Sequence, residues 1–169
     1  MALSSNTIWE IRTTGNDSNG GGFVEGASGT DYSQQDSAEY TYTDLVIDGA
    51  DNTIVSSASH SFIATDVGNI MQITAGTGFT TGFYEIVSVS SGEATLDRAC
   101  GTVGSTGGTY AVGGALATPF YHRASVVAGN TTYIKEATYT YNSTQTLSVN
   151  GATTPDLVTT LSLGPGLVL

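Results

Sequence analysis

Basic residues are scarce in this chain: Arg12, Arg98, Arg123 and Lys135 stand against nine Asp and six Glu in 169 residues, for a formal net charge of −11 at pH 7. Phosphate backbones and anionic bilayers are held by clustered Lys and Arg. Four scattered cations form no cluster, so neither nucleic acid nor a membrane is expected as a partner. Cysteine is nearly absent as well. Cys100 stands alone, which excludes an internal disulfide and a thiolate metal cage, and with only Arg98 close by in sequence it reads as a small buried thiol. No stretch approaches the roughly 20 apolar residues of a spanning helix. The opening MALSSNTIWE has neither the basic nor the apolar region of a signal peptide, so synthesis in a cytoplasm is expected.

Helical periodicity is also missing, since no window of a dozen residues sustains apolar positions at i, i+3, i+4 and i+7. What is present is 27 Thr, 22 Gly and 18 Ser, a composition of pleated strands and turns. Alternating segments at 7–13, 40–48, 52–57, 69–75, 83–90, 93–97, 109–113, 131–142 and 145–150 are separated by turn residues, as in sandwiches and barrels. The fold class is therefore all-β, an antiparallel β-sandwich or barrel-like domain with long Gly-rich loops and an extended C-terminal strand or arm. Residues 1–119 form the sandwich or barrel domain, and residues 120–169 a β-hairpin followed by an apolar C-terminal docking arm.

The clearest local pattern is TGFYEIVSVSSGEATLDRA at 81–99, two strands around a Ser-Gly turn. Phe83, Val87 and Val89 alternate with Tyr84 and Ile86, which predicts a first strand covered on both faces in its early half, while Ala94 and Leu96 alone point inward on the second. Three segments break the regularity and read as long loops: TGNDSNGGGFVEGASG (14–29), GTVGSTGG (101–108) and GGALATP (113–119). The first of these is expected to be the most flexible. Toward the C-terminus, Tyr133, Tyr139 and Tyr141 share one face of an alternating run. The final DLVTTLSLGPGLVL has no charge after Asp156 to balance Leu157, Val158, Leu161, Leu163, Leu167, Val168 and Leu169. Tyr is enriched at interfaces, and an uncovered apolar tail docks, so these ten residues are the candidate interface.

Catalytic constellations fare poorly. Asp17, Asn19 and Gly21 alternate as in a calcium loop, but an EF-hand starting at Asp17 needs Glu where Ser28 stands, and a surface turn is the better reading. His60 and His122 are far apart and neither has a neighbouring ligand at metal spacing, so both read as ordinary surface or strand-end residues. No G-x-S-x-G elbow supports a Ser-His-Asp triad. Asp31, Asp36, Glu39 and Asp44 crowd one region as a solvated acidic face rather than as opposed glycosidase carboxylates. No catalytic residue, metal ligand or cofactor site is assigned.

WEIRTTGNDSNGGGF (9–23), GASGTDYSQQDSAEY (26–40) and residues 64–119, in that order, resemble the amino-terminal module of a family of tailed-bacteriophage virion proteins. In longer members of that family the stretch similar to VVAGNTTYIKEATYTYNSTQTLSV looks like the entrance to a right-handed parallel β-helix of the kind found in tail spikes. The resemblance implies a virion component without enzymatic activity. The reading preferred on sequence is a capsid cement or decoration protein, a homotrimer that binds the major capsid protein or other virion proteins. A tail or head fibre or spike base is the alternative, and a fragment of a polysaccharide-binding or degrading β-helix spike the further one. About 50 residues after Pro119 are too few for a stable solenoid, whose turns each take roughly 20 to 25 residues.

Overall fold

The computed structural model describes residues 7–23, 38, 40–118, 121, 125, 129–134 and 160–163. Among these the chain is all-β, with ten strands and one turn of 3-10 helix at Ala64–Asp66. Strands β3 (Tyr40–Ile47), β4 (Ile54–Ser56), β5 (Ile70–Ala75), β6 (Gly82–Ser90), β7 (Glu93–Leu96) and β8 (Thr106–Val112) close into a barrel in the order β3-β4-β7-β6-β5-β8. Every pairing in it is antiparallel.

The strand alternation read from the sequence sorts side chains into and out of this barrel. On β5, Met71 and Ile73 point inward and Ile70 outward; on β6, Tyr84 and Ile86 point inward and Phe83 outward. The interior is filled by Leu45, Ile47, Val55, Phe62, Met71, Ile73, Tyr84, Ile86, Ala94, Leu96, Cys100, Tyr110 and Val112. Each large aliphatic or aromatic member contributes about 1.5–3 kcal/mol by leaving water, before chain entropy is charged. A bulge between Ile86 and Ser88 interrupts the alternation, leaving Val87 exposed while Val89 packs on the core.

A second sheet runs β10-β9-β1-β2, formed by β1 (Ile8–Ile11), β2 (Gly22–Phe23), β9 (Thr131–Ile134) and β10 (Thr160–Leu163). Trp9 and Ile11 of β1 pack with Ile70 and Phe83 on the outer wall of the barrel, together with Leu116. Trp9 meets Phe83 edge to face at 5.1 Å. Phe83 is 5% and Tyr84 1% exposed, so the early half of β6 is covered on both faces, by the second sheet outside and the barrel core inside.

Two of the segments read as loops are in fact zipped together. The described part of 14–29 lies against 113–118 through hydrogen bonds from Asn16 N–H to Ala115 O, Gly20 N–H to Gly113 O and Gly21 N–H to Gly114 O, at 3.0, 2.7 and 2.8 Å. Asp17 accepts the Ala117 and Thr118 amides at 2.9 and 2.8 Å, and Asn19 Nδ2 donates to Ala115 O at 2.8 Å. The glycines make this approach possible: a Cβ on Gly20 would lie 2.2 Å from Ile70 O. The backbone amides, which carry no sequence signature of their own, hold residues 14–21 in place. The remaining Gly-rich segment is shorter than expected, because β8 already begins at Thr106.

Candidate interface and a buried acid–imidazole pair

The second sheet is where the expected interface residues fall. β1 and β9 are parallel, as are β9 and β10, and the three are in register: Ile8, Thr131 and Thr160 align, then Trp9, Thr132 and Leu161, then Glu10, Tyr133 and Ser162, then Ile11, Ile134 and Leu163. Tyr133 thus lies on β9 at the level of Glu10. Leu161 and Leu163 lie on β10 at the levels of Trp9 and Ile11. The C-terminal arm therefore includes a strand of this sheet, which the sequence reading did not place. Tyr139, Tyr141, Leu157, Val158, Leu167, Val168 and Leu169 are outside the described residues, as is the hairpin expected beyond Ile134. At the other side of β1 the ladder turns antiparallel and ends in the two residues of β2.

Trp9 anchors the junction. Its indole Nε1–H donates to Asn130 Oδ1 at 3.0 Å, both residues being fully buried, which ties β1 to the residue that opens β9. Glu10 and Arg12 alternate with Trp9 and Ile11 and so lie on the opposite face of β1. Both are buried, at 4% and 2% exposure. Arg12 Nε donates to Glu10 Oε1 at 2.7 Å and Nη2 donates to the same oxygen. Two charges removed from water on one strand are tolerable only as a pair.

A second constellation closes one end of the barrel. Past the end of β4 the chain follows β3, where Asp44 Oδ1 accepts the Ser57 hydroxyl at 2.7 Å and Oδ2 the Ser59 amide at 2.8 Å. The Ser57 hydroxyl, followed by the Ser59 amide, holds the Asp44 carboxyl below the usual carboxylate range. His60 then stacks on Tyr40 at 3.7 Å with Tyr42 at 6.4 Å, and Phe62 enters the core against Tyr110. The 3-10 turn returns Asp66, 1% exposed, beneath His60: Oδ2 meets His60 Nε2 at 2.9 Å and accepts the Ile63 amide at 2.8 Å. Asp66 Oδ1 is buried with no hydrogen-bond partner among the described residues. Burial pushes the Tyr110 phenol up to about 12, and burial likewise raises the Cys100 thiol to about 11, which keeps it protonated and unreactive near neutrality.

His60 is thus neither a surface nor an ordinary strand-end residue. The reading missed it because its carboxylate partner lies six positions on, at the end of the 3-10 turn, a separation that no catalytic or metal spacing singles out. His122, Asp31, Asp36 and Glu39 are outside the described residues. Asp44 is bound up in the serine contacts of the 57–59 turn, and among the described residues no second carboxylate is hydrogen-bonded to it. Among the described residues no group of three or more His, Cys, Asp or Glu side chains is placed to hold a metal ion. Among the described residues no helix is long and apolar enough to cross a membrane. No protein-family model, curated protein or solved structure matches the chain.

Proposed function

We propose that this chain is a structural component of a tailed-phage virion, acting as the base of a head or tail fibre or spike. The barrel is the anchor, and the β1-β9-β10 sheet is the first rung of a parallel stack. The observation that carries this reading is the in-register parallel pairing of three strands drawn from opposite ends of the chain. Parallel neighbours require long crossovers and stack without slipping register, which is how solenoids grow. On the β2 side the ladder is antiparallel and only two residues long, so a parallel stack would extend from β10. The barrel offers no edge for strand addition, since closure pairs every one of its strands. The role is adhesive. A homotrimer attached to other virion proteins is the assembly that fits a fibre base.

A capsid cement protein bound to the major capsid protein is the second reading. Its support is the exposed Ile63, Val67, Val87 and Val103 on the barrel, apolar surface of the kind that docks on another protein. Quantitative mass spectrometry of purified particles separates the two. A fibre or spike base is present at a small fraction of the shell-subunit count, whereas cement is present in comparable numbers. Absence of the chain from particles sinks both, and release of reducing ends or unsaturated sugars from host polysaccharide by the purified protein replaces them with an enzyme.

A further inference from the structure

We propose that a groove in the barrel wall beside Asp44 receives a lysine or arginine side chain of another virion protein. This rests on the virion reading and adds to it a site and the chemistry of its partner. The groove exists because the wall is incompletely paired there. β3 meets β4 only at Val46 and Ile47, opposite Ser56 and Val55, and on its other side the ladder with β8 skips from Tyr42 to Leu45. Thr43 and Asp44 stand in that bulge, and among the described residues no residue of a neighbouring strand is aligned with either. Gly107 on β8 brings no side chain to fill the space, and a Cβ there would meet nothing within 4 Å. What remains is an open groove of about 590 Å³ with Asp44, Val46, Ser57, Ala58, Thr106 and Gly107 in its lining.

Asp44 is the one charged group in that lining. Its oxygens are held by neutral donors, the Ser57 hydroxyl at 2.7 Å and the Ser59 amide at 2.8 Å, and no cation among the described residues pairs with it. The Ser57 hydroxyl pulls its acidity below the usual carboxylate range, so it is an anion at neutral pH. Beside it lie the apolar Val46 and Ala58. Such a groove suits a long cationic side chain, whose methylene stem lies along apolar wall while its head reaches a fixed carboxylate.

The geometry also narrows the source of that cation. A free small molecule is held by enclosure, and an open groove covers too little of it. A side chain carried by a docked protein has its other contacts elsewhere and needs no enclosure. A second copy of this chain is poorly equipped to supply one. Arg12 is buried on Glu10, and Arg98 is held by Asp97, by the Phe83 carbonyl and over the face of Tyr84, while Arg123 and Lys135 are outside the described residues. A net charge of −11 draws basic surfaces toward the chain, and Asp44 gives such a surface a defined point of contact.

Amide chemical shifts of the full chain, titrated at fixed ionic strength with acetyl-arginine amide or its uncharged isostere acetyl-citrulline amide, read the site without any virion protein. The arginine derivative should move the amides of 43–46, 56–58 and 106–107, and the citrulline derivative should leave them in place. Asp44→Asn should remove the response. So should Ala58→Lys, which sets an ammonium at an exposed position of the groove. Asp48→Asn, which removes the same charge from the β3–β4 turn, should keep it. Equal shifts with both ligands, or none in the groove, overturn the proposal, as does a response that survives Ala58→Lys. Binding to particles that lack the protein is the second measurement: Asp44→Asn should bind about threefold more weakly than wild type at low salt, with the gap closing as salt rises. A variant that binds as well as wild type overturns the proposal and leaves the virion reading standing. Wild-type chain that binds no particle sinks the virion reading, while the titration still decides whether the groove takes a basic side chain. If Asp44→Asn does not fold, Ala58→Lys decides both measurements.

Discussion

Ser91 is the one residue other than glycine with positive φ among the described residues, at 54°, and with Gly92 at 83° it makes the two-residue turn between β6 and β7. The Ser-Gly pair was readable as a turn, but the strain on Ser91 was not, because only the primed turn type puts both positions in the left-handed region. Ser91→Asn, a residue that tolerates that region, should raise stability by about 0.5–1 kcal/mol, visible as a higher midpoint in thermal unfolding. Gly92→Ala should lower it, since a Cβ is strained at a φ of 83°. Two further residues set the alkaline limit. Cys100 and Tyr110 have acidities weakened by burial, to about 11 and about 12, from ordinary values of 9.0 and 10.0. Below pH 9 both are protonated folded or unfolded and exert no pull. Above it the unfolded chain sheds protons that the folded chain keeps, so stability falls between pH 9 and about 12. Urea midpoints at pH 7, 9 and 10.5 should decline only over the last interval, and a Cys100→Ala protein should decline later.

At the scale of elements, β1 is the strand whose context the sequence hid. Its alternation was clear, but the alternation does not tell that it lies between β9 and β2 with Glu10 and Arg12 both buried. Periodicity reports which residues share a face; it does not report what covers that face. Arg12→Met takes from the buried Glu10 carboxylate the guanidinium that donates to it and should cost about 3–5 kcal/mol in urea denaturation. Replacing Glu10 and Arg12 together by Leu and Met should cost much less, and an equal loss in the single and double variants would mean that packing rather than charge holds the strand. The loop 14–21 went astray for a related reason. Its glycines were read as freedom, but they mark the places where two backbones touch, and no pattern in one strand reveals its partner.

The whole molecule was legible as all-β and barrel-like because the barrel strands obey local alternation and are joined by short turns, the information a single chain carries best. The parallel sheet was not, since β1, β9 and β10 meet only through long-range pairing and β10 reads simply as an apolar tail. Barrel closure involves none of them. Removing residues 157–169 should therefore leave the barrel's cooperative unfolding in place while weakening incorporation into particles, as followed by calorimetry and by binding to particles that lack the protein. Trimmed protein that incorporates as well as the full chain would remove the C-terminal segment from the docking surface.

The same separation orders events on the ribosome. Trp9 must wait for Asn130, 121 residues later, on the order of ten seconds of synthesis. In that interval the barrel can complete itself and β1 can settle on β2 and against Ile70, Phe83 and Leu116, while the indole N–H still waits for its acceptor. The junction between the barrel and the parallel sheet is thus locked only after both of its sides have been made.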